Sequence, residues 1–257
     1  MSPPPLKALI FDVDGTLADT ERDGHRPAYN AAFREAGLDW DWSVPLYGEL
    51  LAITGGKERI RHYIRHHGAA LPPVADLDAF IAELHRRKTD HYTRRVRSGA
   101  IPLRPGVARL LAEARRAGLR LAIATTTTPD NVDALLETAL GPGARRWFEV
   151  IGAGDVVPAK KPAPDIYHYV LDALGLPPAA CLAFEDSENG LRAALGAGLD
   201  TLVTVNDYTR DHDFRGALAV LDHLGEPGQP ARVLAGPPVL DGRPCLDLAG
   251  LGRLRGA

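Results

Sequence analysis

The sequence has few cysteines, no polybasic run and no long apolar run, and each shortage excludes a class of protein. Its two cysteines, Cys181 and Cys245, form neither a disulfide framework nor a metal-type spacing, which favours a reducing compartment. No apolar run approaches the roughly 20 residues that span a bilayer. The N-terminal SPPPLK also lacks the charged and apolar regions of a signal peptide. We therefore expect a soluble, cytoplasmic protein with no membrane partner.

The overall composition is that of an ordinary globular protein. Charged residues make up 25% of the chain and the formal net charge is −3, so nothing indicates a nucleic-acid partner. A length of 257 residues allows one large domain or a domain with an insertion. We expect a monomer that acts on a small molecule.

The most informative stretch is LKALIFDVDGT, residues 6–16. Its apolar part, residues 6–11, carries a single lysine near its start, which predicts a strand buried on both faces at the centre of a parallel sheet. Asp12 and Asp14 follow at once, and two carboxylates so close to a buried strand are costly to hold without a cation or a proton. Taken alone, this motif is equally compatible with an Asp-rich turn that has no catalytic role.

The remainder of the sequence divides into segments of different pattern. After residue 97, strands predicted at 119–124, 148–151, 181–184 and 201–205 alternate with helices, which indicates an α/β fold with a doubly wound parallel sheet. Residues 20–97 have helical apolar spacing and no convincing strand. We therefore assign residues 1–19 and 98–224 to a core domain and residues 20–97 to an inserted α-helical domain.

The C-terminal extension, residues 225–257, is rich in Gly and Pro and allows two interpretations. Its apolar pairs at 233–234 and 239–240 could form an edge hairpin around Gly236, Pro237 and Pro238. Disorder is the competing interpretation.

Polar residues follow several of the predicted strands. Because the carboxyl ends of parallel strands meet at one edge of a sheet, we expect these side chains to converge: Asp12, Asp14, Thr125, Lys161, Glu185 and Asp186. Carboxylates without thiolates or clustered imidazoles favour Mg²⁺ over Zn²⁺. Thr125, the free backbone N–H groups after it and the charge of Lys161 suit a phosphate group. A carboxylate nucleophile, a divalent ion and a cation together describe phosphoryl transfer through an aspartyl-phosphate.

The motifs DVDGT, the strand-end Thr, KKPAPD and EDS, in that order, resemble the four motifs of the haloacid dehalogenase-like (HAD) phosphatase superfamily. The resemblance covers residues 6–205 and implies a HAD-like Rossmannoid core with Asp12 as the nucleophile and Asp14 as the general acid/base. It also implies that Mg²⁺ is held by the carboxylates of Asp12 and Asp186 and the backbone carbonyl of Asp14, with Glu185 acting behind these ligands. A helical insertion after the first motif resembles the cap of HAD subfamily I.

The inserted domain has two stretches that could bind an anion. In TGGKER, residues 54–59, two glycines before a helix are followed by Lys57 and Arg59, which suits an anion; a glycine turn that starts a surface helix is the alternative. On a second predicted helix His85 and Lys88 share a face.

The two arginines between His85 and Lys88, Arg86 and Arg87, are expected in solvent. His85 on its own would be an ordinary surface histidine. One anion site on each domain would suit a substrate with a phosphate at each end.

The pieces TGGKERI, HRRKT and ATTTTPDN resemble the CbbY-type phosphatases, whose substrate is xylulose 1,5-bisphosphate, an inhibitor of Rubisco. That resemblance implies a set of substrate contacts: Asp19, Gly55, Gly56, Lys57, Glu58, Arg59, His85, Lys88, Thr126, Thr127 and Asn131. Asp19 is a departure, because a glutamate is expected there.

We therefore expect a Mg²⁺-dependent sugar-bisphosphate phosphatase. The alternatives are a β-phosphoglucomutase, which differs in the acceptor of the phosphoryl group, and a catalytically silent metabolite-binding regulator. The intact pair of Asp12 and Asp14 speaks against the regulator.

Overall fold

The structure, a computed structural model, describes residues 4–53 and 56–256 and divides into two compact units. The core unit consists of Met1–Asp19 and Pro102–Ala257, and the insert unit of Thr20–Ile101. The insert unit extends past residue 97, where the sequence analysis ended it, because Ile101 is buried beside Gly24 of the same unit. Within residues 4–53 and 56–256, no helix has the length and apolar character needed to span a membrane.

The insert unit is built from helices. A π-helical segment, Thr20–His25, leads into α1 (Arg26–Glu35), followed by α2 (Val44–Leu50), α3 (Gly56–His66) and α4 (Leu77–Arg97). Helix α1 packs along α4. Large aromatic side chains with almost no exposed surface fill the interior: Tyr29, Phe33, Trp42 and Tyr47. The predicted α-helical insert is thus confirmed.

The core unit is organised around a seven-stranded sheet. Its strands are β1 (Ala8–Phe11), β2 (Arg120–Ala124), β3 (Phe148–Gly152), β4 (Cys181–Glu185), β5 (Asp200–Thr204), β6 (Ala219–Leu221) and β7 (Val233–Ala235). They lie in the order β3-β2-β1-β4-β5-β6-β7. Strands β1 to β6 are parallel and β7 is antiparallel to β6. The predicted parallel sheet is confirmed.

In the described part of the chain, the core unit has five α-helices: α5 (Val107–Arg116), α6 (Pro129–Leu140), α7 (Asp165–Leu174), α8 (Glu188–Gly196) and α9 (Leu248–Gly256). Ala8 and Ile10 of β1 belong to the apolar cluster that includes side chains of α7 and α8. Alternation along the strand turns Leu9 and Phe11 to the opposite face, and both are equally buried. β1 is therefore the central strand, buried on both faces, that the apolar run predicts.

The register of the sheet aligns the ends of its central strands. Phe11 is paired with Ile123 of β2 and with Phe184 of β4, and the rings of Phe11 and Phe184 stack with centroids 4.4 Å apart. One residue further along, Asp12 therefore reaches the same edge as Glu185. This alignment is what allows carboxylates that are distant in sequence to meet.

The C-terminal region differs from both of its interpretations. Residues 233–234 do lie in an edge strand, β7, but that strand pairs with β6, whereas residues 239–240 lie outside any strand. The predicted hairpin is therefore wrong. Val239 and Leu240 are instead buried, and Arg253 of α9 donates to the Val239 carbonyl. Neither β6 nor α9 was predicted, because a three-residue strand and a Gly-rich helix carry little periodic signal.

Candidate active site

A buried lysine links two of the strand ends. Lys161 Nζ lies 2.7 Å from Asp12 Oδ1 and 2.6 Å from Glu185 Oε1, and donates to the Ala124 carbonyl at 2.9 Å. Burial lowers the pKa of Lys161, but the negative charges of Asp12 and Glu185 outweigh burial and hold this pKa above its usual value. Lys161 is therefore a cation, with all three of its donors in use.

Glu185 is enclosed on every side. Its Oε1 also accepts a hydrogen bond from the Tyr167 hydroxyl, and its side chain is 1% exposed. A Cβ placed on Gly190 of α8 would lie 1.9 Å from Glu185 Oε2, so only glycine fits there. Burial raises the pKa of Glu185, and the Lys161 charge opposes the rise. The Glu185 carboxylate is thus held by its place at the end of β4 and by its contacts with α7 and α8.

Asp186 lies next to the turn that carries the DVDGT motif. Asn206 Nδ2 donates to Asp186 Oδ2 at 2.6 Å. A Cβ on Gly15, whose φ is +88°, would lie 2.3 Å from the same oxygen, so this close approach requires glycine. Burial, then the charges of Asp12 and Glu185, raise the pKa of Asp186 well above its usual value. The turn after β1 and the carboxylate of Asp186 are in direct contact.

The threonine run after β2 folds towards the same turn. The Thr127 hydroxyl donates to Asp14 Oδ2, and the Thr127 N–H donates to Thr125 Oγ1 at 3.2 Å. Thr125 is buried. The threonines therefore hold the Asp14 carboxylate from the neighbouring strand end.

These side chains surround a pocket of about 200 Å³, lined by Asp12, Asp14, Thr126, Lys161, Glu185, Asp186, Ser187, Asn189 and Gly190. Ser187 caps α8 by accepting the Gly190 N–H at 3.2 Å. The structure thus brings together every predicted strand-end residue except Thr125, which touches the site through Thr127. Asn131, in the first turn of α6, is outside this lining set.

The donor set of the pocket fits a hard divalent cation. Carboxylate oxygens of Asp12, Glu185 and Asp186 lie within 4.8 Å of one another, and all three residues are buried. One lysine cannot neutralise three clustered carboxylates, and the pKa of Asp186 is raised first by burial and then by the charges of Asp12 and Glu185. Oxygen donors without sulfur or imidazole in the lining suit Mg²⁺.

Asp19, predicted as a sugar contact, is engaged within the core unit. Its Oδ1 lies 3.2 Å from Nε of Arg104, whose side chain is 6% exposed. The Asp19 side chain is 21% exposed. The carboxylate therefore forms an ion pair that no local sequence pattern predicts.

In the insert unit, the structure brings Gly56, His85 and Lys88 together around Tyr29. Lys88 Nζ lies 2.8 Å from His25 Nδ1 and 5.0 Å from the ring centroid of Tyr29. A Cβ on Gly56 would lie 2.5 Å from His85 Nε2 and 2.6 Å from the Tyr29 hydroxyl. Burial, then the charge of Lys88, lower the pKa of His85.

Arg59 also donates to other acceptors within this unit. Its Nε donates to the Leu50 carbonyl at 3.0 Å and its Nη2 to the Ile53 carbonyl at 3.3 Å, while its Nη1 contacts the Tyr47 hydroxyl at 3.2 Å. Lys57 and Glu58 are exposed. Gly55 lies outside the described residues.

The two arginines beside Lys88 differ in exposure. Arg86 is exposed and pairs with Glu83 and Asp90, as expected for a solvated side chain. Arg87 is only half-exposed and also pairs with Glu83.

The sequence did not predict the pocket-lining residues Ser187, Asn189 and Gly190, nor three residues that support the site: Asn206, Tyr167 and Arg104. Asn206 directly follows the strand predicted at 201–205 and lies one residue beyond Val205, which follows β5, so a strand-end rule applied to every strand would have found it. Tyr167 lies on the apolar face of α7, where a buried hydroxyl needs a partner. Arg104 has no such signal, because its partners are distant in sequence.

Comparisons with known proteins agree with this geometry. The profile of haloacid dehalogenase-like hydrolases matches residues 6–198. The plasmid protein CbbY of Cupriavidus necator is 54% identical over 225 residues, covering 88% of this chain and 88% of that protein. The fructose-1-phosphate phosphatase YqaB of Escherichia coli is 31% identical over 195 residues, covering 76% and 94%.

A crystal structure of a mutant CbbY from Rhodobacter sphaeroides in complex with xylulose 1,5-bisphosphate is similar in fold. Its TM-score is 0.74 at 46% identity, and the match covers 96% of this chain and 99% of that chain. Profile, sequence and fold lead to the same family. The chain belongs to the haloacid dehalogenase-like hydrolases.

Proposed function

We propose that this hydrolase is a Mg²⁺-dependent phosphatase that removes a phosphate group from a sugar bisphosphate, with xylulose 1,5-bisphosphate as the substrate. The observation that carries the proposal is the bridge of Lys161 between Asp12 and Glu185 in the pocket. It fixes a carboxylate nucleophile beside a permanent positive charge, which is what transfer of an anionic phosphoryl group requires. The CbbY complex with xylulose 1,5-bisphosphate supports the choice of substrate.

In the proposed reaction, the Asp12 carboxylate attacks phosphorus, so that a bond from Asp12 Oδ to phosphorus forms while the bond to the sugar oxygen breaks. Asp14, in its protonated form, gives its proton to the leaving sugar oxygen. Water then attacks the phosphorus of the aspartyl-phosphate, so that a bond from the water oxygen to phosphorus forms while the bond to Asp12 Oδ breaks. Asp14 takes the proton of that water, and orthophosphate leaves. The Thr127 hydroxyl holds the Asp14 carboxyl for both proton transfers.

The cation has a defined role in this proposal. Asp12, Asp186 and the backbone carbonyl of Asp14 would hold Mg²⁺, with Glu185 behind them. The bound ion would supply charge stabilisation for the phosphoryl oxygens. Lys161 contributes the same kind of stabilisation from the protein itself.

A second phosphate needs a second cationic group, and the insert unit offers one. Lys88 and His85 lie on one face of α4, with Gly56 of α3 beside His85. Arg59 fits this role less well, because its donors face the Leu50 and Ile53 carbonyls and the Tyr47 hydroxyl. We therefore assign the second phosphate to Lys88 and His85.

The test is a phosphatase assay of the purified chain over sugar mono- and bisphosphates, with Mg²⁺ or with a chelator. We expect bisphosphates to be preferred, activity to require Mg²⁺, and Asp12→Asn to lower kcat by more than about 1,000-fold. Asp211→Asn removes a carboxylate that is exposed and should leave kcat unchanged.

Each part of the proposal has its own contrary result. A preference for monophosphates contradicts the two-phosphate argument, and full activity in the chelator contradicts the metal. Full activity of Asp12→Asn contradicts the aspartyl-phosphate. Conversion of β-glucose 1-phosphate to the 6-phosphate without net phosphate release would identify a mutase instead, and no turnover at all would favour a regulator.

A further inference from the structure

Arg104 is a buried cation of the core unit that donates hydrogen bonds to several backbone carbonyls. The steps of the proposed reaction do not use it. It lies just after the insert, before α5, and is 7% exposed. Its Nη1 donates to the Gly15 carbonyl and, at 2.9 Å and 3.0 Å, to the carbonyl and hydroxyl of Thr204. Its Nη2 donates to the carbonyls of Val205 and, at 2.9 Å, Asp222.

These acceptors belong to three separate parts of the sheet edge. Gly15 follows Asp14 directly, in the turn after β1. Val205 comes directly before Asn206, in the turn after β5, and Asp222 follows β6. A rigid, planar guanidinium with donors in fixed directions can hold three such segments at once.

The first two segments meet at the active site. A Cβ on Gly15 would lie 2.3 Å from Asp186 Oδ2 and 2.5 Å from Asn206 Nδ2. Asn206 in turn donates to Asp186. Because no space separates these groups, a shift of either turn must move the Asp186 carboxylate relative to Asp12.

We propose that Arg104 is a positioning residue for the phosphoryl-transfer site. It holds the turn that carries Asp14 against the turn that carries Asn206, and so fixes Asp186 relative to Asp12. Asp19 completes the arrangement by pairing with Arg104 Nε at 3.2 Å. The catalytic consequence rests on the proposed function, whereas the effect on the two turns does not.

Arg109 provides a matched control. This half-buried arginine on α5 also donates from Nη2 to three backbone carbonyls, those of Leu224, Gly225 and Leu246. A Cβ on Gly225 would meet Pro244, Cys245 and Ala231, whereas one on Gly15 would meet Asp186 and Asn206. Arg104→Met and Arg109→Met therefore each remove a cation that holds loops together, but only the first removes contacts to the two turns that meet at Asp186.

The experiment measures Mg²⁺ affinity by calorimetry, amide hydrogen exchange, Tm, and kcat and KM for p-nitrophenyl phosphate. For Arg104→Met we expect Mg²⁺ affinity to fall about 10- to 100-fold and kcat to fall by roughly 100-fold, with KM changed less than kcat. In this variant, amide hydrogen exchange should be faster in residues 12–18 and 204–209 than in the parent chain. Arg109→Met should lower Tm without these effects. Arg104→Lys, which keeps the charge but replaces the planar guanidinium with a single ammonium group, should recover part of the loss.

The results separate the two proposals. If Arg104→Met keeps both Mg²⁺ affinity and slow exchange in the two turns, the positioning role is wrong whatever the activity. If Arg109→Met lowers Tm by the same amount as Arg104→Met and weakens Mg²⁺ binding to the same extent, the effect on Mg²⁺ is one of general stability. The inference then also fails. Should Arg104→Met not fold, Arg104→Lys decides by the same measurements. Absence of phosphatase activity in the parent chain would overturn the proposed function alone, since metal binding and exchange are still measured.

Discussion

Each of the two units buries a lysine, and the two lysines are stabilised in different ways. Lys161 of the core unit is held by the carboxylates of Asp12 and Glu185. Lys88 of the insert unit, which is 8% exposed, contacts the Nδ1 atom of His25 and has the rings of Tyr29 and Tyr92 5.0 and 5.3 Å from its Nζ atom. One lysine thus offsets fixed negative charge, and the other lies among a histidine and aromatic faces.

The difference has a consequence for pH. An ammonium donates to a histidine nitrogen only when that nitrogen carries no proton, so the contact assigns His25 the neutral form with its proton on Nε2. Burial, then the charge of Lys88, lower the pKa of His25 well below its usual value. The lysine of the core unit depends on ionised carboxylates, whereas that of the insert unit depends on a neutral imidazole. The same residue type is therefore held by two different kinds of neighbour.

The largest effect should come from removing the core lysine. Lys161→Met leaves Asp12 and Glu185 buried without their cation, so we expect kcat to fall by more than about 1,000-fold and the free energy of unfolding to fall by about 3–5 kcal/mol. Steady-state kinetics and urea unfolding measure the two losses.

The adjacent Lys160 is the control for this substitution. It is exposed and pairs with Asp155, so Lys160→Met should change neither quantity. Parent-like kcat in Lys161→Met would remove the charge argument from the proposed mechanism.

Removing the insert lysine should act on substrate affinity instead. If Lys88 binds the second phosphate, Lys88→Met should raise KM for a sugar bisphosphate by about 10- to 100-fold, the loss of one charge-assisted contact, with a smaller change in kcat. KM for p-nitrophenyl phosphate, which has one phosphate, should stay the same. Arg86→Met, which removes a neighbouring exposed cation paired with Glu83, is the control. An equal rise in KM for both substrates would show that Lys88 serves the fold of the insert unit alone.

The histidine beside Lys88 predicts a loss of stability in acid. Because the folded pKa of His25 is lowered, its contribution is complete above the unfolded value of about 6.5 and is lost as the pH falls through the folded pKa. Across that window the free energy of unfolding should fall by up to about 1.4 kcal/mol per pH unit. Urea unfolding between pH 7.5 and 5.5 measures this slope. His25→Gln should be less stable at pH 7.5 but should lack this part of the slope; an identical slope would assign it to other groups.

Much of the candidate site could be predicted from local patterns in the sequence. The apolar run before Asp12 could only be a strand buried on both faces, and parallel strands necessarily bring their carboxyl ends to one edge. From these two facts the convergence of Asp12, Glu185 and Asp186 follows without coordinates, whereas the place of Lys161, in the loop between β3 and α7, does not. The helical spacing of the insert was equally local.

Contacts between segments that are distant in sequence could not be predicted from local patterns. Arg104 holds carbonyls about 90 to 120 residues away, and nothing in its neighbours in sequence indicates those partners. Arg59 stays a predicted anion ligand, but its hydrogen bonds to two carbonyls of its own unit could not be foreseen from its place after two glycines. Strand β6 has only three residues, which is too few for alternation to be recognised. In each case, tertiary packing selects among options that the local sequence leaves open.

The smallest effect should come from Tyr167, which refines the account of the core lysine. Tyr167→Phe removes the hydroxyl that donates to Glu185 Oε1 but keeps Lys161 on the same oxygen. Because a charged partner remains, we expect the free energy of unfolding to fall by only about 1 kcal/mol, with kcat nearly unchanged. Urea unfolding and steady-state assays of the parent and the variant measure both. A loss of kcat as large as that of Lys161→Met would mean that the orientation of Glu185, rather than the charge of Lys161, is what the site requires from this pair.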